Sequence, residues 1–264
     1  MGVARSGYYS YLNRPLESKP NKSMLLLEVK ALNQFSRGSY GSRQMSKNLQ
    51  AKGYSVGRYQ ARSLMRHAGI ECKQRRRYQI TPQSDPHLPV AENTLNRDFK
   101  AQAVNQKWVA DITYLWTQEG WLYLAAVLDL FSRRVVGWAL ADHRREELVS
   151  NALQMALWRR QPPKGLLHHS DRGCQYASAA YRGNLQEAGI QISMSRKGNC
   201  WDNAVMERFW GSLKSERTDQ AIYPTRATAK ADVIDYIEMF YNSQRLHSAL
   251  GYVTPLQFEQ DSLK

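Results

Sequence analysis

Between residues 22 and 68, apolar side chains recur at spacings of three and four. This predicts helices over roughly 22–36, 41–52 and 57–68. The second places Met45 and Leu49 four apart, and the third sets Ala61, Leu64, Met65 and Ala68 on one side. The segment AKGYSVG between them is a short glycine-containing turn, so the pair reads as a helix-turn-helix. Periodicity breaks at TPQSDPHLPVAENTLNRDF, where three prolines and polar residues mark a linker. Beyond it, KWVADITYLWT (107–117), WLYLAAVLDLF (121–131) and RRVVGWALA (133–141) predict three strands. Short turns at Gln118–Gly120 and Ser132–Arg133 make these an antiparallel meander. A helix over 144–160, a strand over 166–171, a helix over 178–188 and a strand over 190–195 follow. Further helices begin just before Ala204 and span about 225–242. A meander followed by alternating helix and strand predicts an α/β fold with a mixed sheet flanked by helices, behind a small all-α domain.

Composition agrees with folded domains: 42% apolar and 23% charged residues exclude global disorder. The longest apolar runs are too short to span a bilayer, and MGVARSGYYSYLNRP has no apolar signal region. Three scattered cysteines (Cys72, Cys174, Cys200) fit a reducing compartment, so a cytoplasmic, nucleoid-associated protein with no membrane partner is expected. Net charge adds direction. Of the formal +14, residues 1–98 carry +11 and residues 99–264 only +3, which predicts a nucleic-acid grip in front of a near-neutral body. The expected organisation is an N-terminal segment 1–21, a helix-turn-helix domain 22–80, a linker 81–98 and the body from 99 onward. On the third helix Arg58, Arg62 and Arg66 share a face, and Arg75, Arg76 and Arg77 continue the basic run without alternating acids. These six are expected DNA contacts, against the alternative of a solvated arginine face.

Three acids in the body call for chemistry. Asp111 lies mid-strand among Val109, Ala110 and Ile112, where aspartate is disfavoured. Asp171 ends the fourth predicted strand, where α/β sheets place ligands and where turn aspartates are also common. Glu207 belongs to GNCWDNAVMERFWGSLKSE, in which Asn203, Glu207, Trp210 and Lys214 share one side of a helix and resemble the rim of a cleft. Such carboxylates suit Mg²⁺ or Mn²⁺, and two ions could serve phosphodiester cleavage, with Lys214 at a DNA phosphate. Rival acids have structural readings: Asp202 as a helix cap, Glu216 on another face, Asp129 at a strand end. Of His168 and His169 at most one can face the cleft, zinc lacks a ligand cluster, and Cys174 lacks ordered partners. His247 reads as a packing or DNA-backbone residue.

VADITY, HHSDRGCQYAS and GNCWDNAVMERFWGSLKSE resemble the catalytic segments of DDE transposases and retroviral integrases. YGSRQMSKNLQAKGYSVGRYQARSLMRHAGI and YNSQRLHSALGYVTPLQF narrow the resemblance to the second-reading-frame (OrfB) transposases of insertion sequences. The gap of 35 residues between Asp171 and Glu207 matches that superfamily's spacing. The resemblance implies an RNase H-like integrase core over 99–223 with a helical extension over 224–264. It also implies Asp111, Asp171 and Glu207 as metal-binding triad, and cleavage of element ends followed by strand transfer of the 3′-hydroxyl. Asn203 and Lys214 match motif positions and are expected near DNA. Element terminal repeats, target DNA, a homo-oligomer on DNA and a first-frame protein or fusion are the implied partners. MGVARSGYY resembles sequence lying just past such a first frame. Two alternatives remain at this point: a non-catalytic DNA-binding regulator, and a structure-specific RNase H-like nuclease that does not join strands.

Overall fold

The computed structural model describes residues 22–71, 91–196 and 200–263, together with Arg5 and Tyr9. The basic run Arg75, Arg76 and Arg77 lies outside the described residues. The chain forms two compact units that divide between Cys72 and Lys73.

The first unit contains α1 (Lys22–Phe35), α2 (Ser42–Ala51) and α3 (Arg58–His67). Each buries the side that its periodicity marked: Leu25, Val29 and Leu32 on α1, Met45 and Leu49 on α2, Ala61, Leu64 and Met65 on α3. Burying each large aliphatic side chain contributes roughly 1.5–3 kcal/mol. Past the end of α2 the chain reverses through Gly53 at φ +87°, a left-handed conformation that glycine adopts without strain. Buried Ser46 locks the turn by donating its hydroxyl to the Val56 carbonyl at 2.7 Å. With the apolar side of α3 inward, Arg58, Arg62 and Arg66 are all exposed.

The second unit is built on a five-stranded sheet in the order β3-β2-β1-β4-β5. β1 (Lys107–Thr117), β2 (Gly120–Asp129) and β3 (Val135–Ala141) form the antiparallel meander. β4 (Leu167–Ser170) and β5 (Gln191–Met194) add in parallel beside the start of β1. The connecting helices are α4 (Glu146–Arg160), the short α5 (Cys174–Ala177) and α6 (Ala179–Glu187). α4 packs so closely on β3 that a Cβ at Gly137 would lie 2.2 Å from the Ala152 carbonyl oxygen. Trp108, Ala125, Val127, Leu153 and Tyr181 are central to the core on this side.

Two of the departures from the sequence expectation have a clear cause. β2 ends at Asp129 rather than 131, because the Asp129 carboxylate accepts the backbone N–H groups of Phe131 and Ser132 and turns the chain. The long helix expected over 225–242 is α8 (Arg226–Asp235) continued by a π-helical turn, Tyr236–Tyr241. Just past that turn, Asn242 accepts from Val135 N–H at 2.9 Å and donates to its carbonyl at 3.0 Å, replacing a strand partner. Between β5 and α8 lies α7 (Ala204–Glu216), preceded by a 3₁₀ turn at Cys200–Asn203; α9 (Pro255–Ser262) closes the chain. Among the described residues, no helix is long and apolar enough to cross a membrane.

Candidate active site

Asp111 is placed by sheet topology. β1 pairs with β4 only through Lys107–Val109, so past Val109 that edge of β1 meets no described strand. Helix α7 covers it instead. The Asn203 amide donates to the Ala110 carbonyl at 3.2 Å, the Trp210 indole N–H donates to Asp111 Oδ2 at 2.9 Å, and Lys214 Nζ lies 5.0 Å from the centre of the Tyr114 ring. The mixed stripe of polar and aromatic positions thus faces a strand edge. That edge has carbonyls and a carboxylate to satisfy, which an apolar stripe would leave unpaired. Glu207 projects from the first turn of the same helix and is exposed. Asn203, expected near DNA, is buried here with its amide turned to the strand. Lys214 is half-buried against Tyr114.

Asp171 follows β4 directly, in the strand beside β1. Its Oδ1 accepts from Gly173 N–H at 2.9 Å, and a Cβ at Gly173 would sit 3.0 Å from that oxygen. Asp111 feels both of the other carboxylates. Asp111 is pushed up to about 7, first by burial and then by the charge of Asp171, with a smaller push from Glu207. Hydrogen bonds from the Trp210 indole and Ile112 N–H oppose the rise. Burial raises Asp171 as well, against its bond from Gly173. Asp111 and Asp171 form no ion pair with any described residue.

Every rival acid in the core has an arginine. Asp129 is sealed, accepts from Asn105 N–H and the Trp108 indole, and lies 3.9 Å from Arg160. Glu216 is bound by Arg245 at 2.7 Å and by the Tyr236 hydroxyl. Glu259 holds Arg134 and Arg160. Asp202 requires a correction. It does not cap α7: the helix starts at Ala204 with no side-chain capping bond, and Asp202 is instead a buried hub for Arg97, Arg196 and Asn93. Its partners lie as far as 109 residues away in sequence, which local capping preferences do not register.

The histidines are not available as ligands. His168 and His169 are both fully buried, held by Tyr181 and by Ser193 and Ser195 respectively. Burial lowers them to about 3 and about 4, so both are neutral at physiological pH. His247 packs edge-on against Tyr241. Cys174 is a free, exposed thiol. Among the described residues, no three His, Cys, Asp or Glu side chains are already gathered tightly enough to hold a metal. Asp111 thus stands within electrostatic reach of Asp171 and of Glu207, which sits on an exposed helical turn. Sequence reasoning missed the Trp210–Asp111 bond, since a tryptophan at helical spacing reads equally as a core anchor.

Comparison with known proteins fits this arrangement. An HTH-like domain family matches residues 21–78, and two families described as integrase core domain match residues 101–200 and 188–255. The chain is 44% identical over 260 residues to the insertion element IS600 uncharacterized 31 kDa protein of Shigella sonnei, covering 98% of this chain and 96% of that one. It is 40% identical over 264 residues to transposase InsF for insertion sequence IS3A of Escherichia coli K12, covering 99% and 92% respectively. Among solved structures, a chain of the simian T-cell lymphotropic virus intasome shares the fold. The TM-score is 0.51 at 18% identity, over 88% of this chain and 74% of that one. With an RNase H-like integrase core behind an HTH-like region and near-complete alignment to such relatives, this chain belongs to the IS3-family transposases.

Proposed function

We propose that Asp111, Asp171 and Glu207 together hold divalent cations, Mg²⁺ or Mn²⁺, and that this site cuts the ends of an insertion element and joins them to target DNA. The observation that carries the reading is the uncompensated pair. In a chain of formal charge +14, Asp129, Asp202, Glu216 and Glu259 each have an arginine, whereas Asp111 and Asp171 have only neutral donors, burial raises the proton affinity of both, and the charge of Asp171 raises that of Asp111 further. Such a pair is under-neutralised until a proton or a cation arrives, and hard carboxylate oxygens favour Mg²⁺. When bound, the ions supply Lewis acidity toward the attacking and leaving oxygens of a phosphodiester.

The chain's own residues supply the rest. Trp210 fixes Asp111 Oδ2, Gly173 N–H fixes Asp171 Oδ1, and Asn203 clamps α7 to the edge of β1, so the glutamate's helix keeps its register on the strand. Arg58, Arg62 and Arg66, exposed along α3, grip DNA through phosphates or groove edges, with Arg75, Arg76 and Arg77 extending that contact. In our reading residues 22–80 bind the element's terminal repeats and residues 99–223 do the chemistry. Residues 224–264 are a helical extension of that core. The working form is a homo-oligomer on DNA, alone or with a first-frame protein, in the nucleoid.

The test is Glu207→Gln, with cleavage of element-end DNA in Mg²⁺ and binding measured side by side. Cleavage should fall about a hundredfold or more while affinity stays within about twofold. Unchanged cleavage would sink the triad. Precut ends then separate the two activities: joined products identify strand transfer, and cutting without joining identifies a plain nuclease.

A further inference from the structure

The hairpin joining β1 and β2 ends in a cluster of exposed aromatic rings. Trp116 is 60% exposed and Trp121 is 42% exposed, directly opposite each other across the ladder. Their ring centres are 4.8 Å apart at 74°, and Tyr114 stands edge-on to Trp121 at 5.1 Å. Two exposed indoles on one hairpin are an unusual cost for a surface to bear without a partner. The hairpin is also held rigid. Thr117 donates to the Gly120 carbonyl, Gln118 N–H to the Tyr223 carbonyl, and Arg226 Nε to the Trp121 carbonyl, while Glu119 accepts from Arg226 N–H. Rings held this way lose little freedom when something stacks on them.

Position suggests the occupant. Helix α7 touches Asp111 through Trp210 and reaches Tyr114 through Lys214, so it runs along β1 from the carboxylate to the aromatic cluster. An ammonium group at the border of an aromatic patch is the pairing that single-stranded nucleic acid uses: rings for bases, a cation for the backbone. Trp116 is five residues beyond Asp111 on one strand. At about 3.3 Å per residue that is about 17 Å along the strand, and the odd separation puts the two side chains on opposite faces of the sheet, so a DNA strand reaches the rings by crossing the open edge of β1 that Lys214 borders.

We propose that Tyr114, Trp116 and Trp121 form a stacking platform for an unpaired DNA base several nucleotides from the phosphate at Asp111, with Lys214 on the flanking phosphate at the edge of β1. This rests on the reading of Asp111 as the reaction site, but its test needs no catalysis. The full-length protein in EDTA is titrated with a forked duplex carrying 2-aminopurine at successive positions of the unpaired arm, and with the fully paired duplex of the same sequence. Wild-type protein should quench the probe in one register. The double variant Trp116→Ala/Trp121→Ala should lose the quench and bind the fork about tenfold more weakly, with duplex affinity unchanged. Trp116→Tyr/Trp121→Tyr, which keeps stacking rings, should restore most of the fork preference. Equal loss on fork and duplex would overturn the platform, as would no loss on either. A wild-type dimer that dissociates in the alanine variant without DNA would overturn it too, in favour of a second copy covering the rings. Because Glu207→Gln is read by cleavage and the platform by binding without metal, the failure of one is told apart from the failure of the other.

Discussion

Asp202→Asn discriminates between two accounts of the segment that leads into α7. Asp202 Oδ1 accepts from Arg97 Nε at 2.9 Å, and Oδ2 accepts from Asn93 Nδ2 at 2.8 Å and from Arg196 N–H at 3.0 Å. The residue is 0% exposed. Burial alone raises this carboxyl, but the bonds from Arg196 and Arg97 outweigh it and hold the pKa down at about 2 from the ordinary 3.8. At about 1.4 kcal/mol for each tenfold change in proton affinity, that difference corresponds to about 2–3 kcal/mol of stability at neutral pH. Arg97 and Arg196 are themselves nearly half exposed, so solvent screening trims the figure toward about 2 kcal/mol. A helix-capping aspartate behaves differently, because asparagine caps equally well and the exchange would be almost neutral. All seven tryptophans lie beyond Cys72, so urea unfolding followed by tryptophan fluorescence reports the sheet unit by itself. The expected loss is about 2 kcal/mol at pH 7 with an unchanged denaturant slope. Because the folded pKa is depressed, the contribution is complete above pH 3.8 and disappears as pH falls through about 2. The gap between wild type and variant should therefore close over that window. A difference below about 0.5 kcal/mol at pH 7 would refute the hub.

Gly137→Ala should destabilise the same unit by about 3 kcal/mol, because the new methyl meets the Ala152 carbonyl and the Ala156 nitrogen and α4 must lift from β3. Thermal unfolding checks it, and an unchanged midpoint would mean that α4 yields freely. Arg62→Ala should weaken DNA binding while lowering the slope of log affinity against log salt by about one, if this guanidinium neutralises one phosphate. An unaltered slope would place Arg62 on a solvated face.

Much of the fold is legible from local patterns, and the reasons are particular. The helices of the first unit agree with their expected limits within a residue or so because each is amphipathic and a glycine stands close to its end: Gly38 past α1, Gly41 and Gly53 around α2, Gly57 and Gly69 around α3. The β1–β2–β3 meander is legible because short turns join long runs of branched and aromatic residues. The break of the helix expected over 225–242 was not, since Tyr236, Ile237, Phe240 and Tyr241 keep the apolar spacing of a helix. The tertiary reason for its π-helical turn sits around it: Tyr236 reaches Glu216, and Asn242, just beyond, reaches Val135.

By itself, the sequence determined the order of elements and the basic front half, while the resemblance of three motifs singled out Asp111, Asp171 and Glu207 as the acids to propose. Local periodicity and composition carry that information because each depends on residues a few positions apart. Only the tertiary structure decided which acids are neutralised. Asp202 turned from cap to ion hub because Asn93 and Arg97 come from over a hundred residues away, and Glu216 was claimed by Arg245. The same folding ran α7 along the open edge of β1. That set the Trp210 indole on Asp111 and Lys214 beside the aromatic hairpin, contacts across nearly a hundred residues that no local pattern encodes.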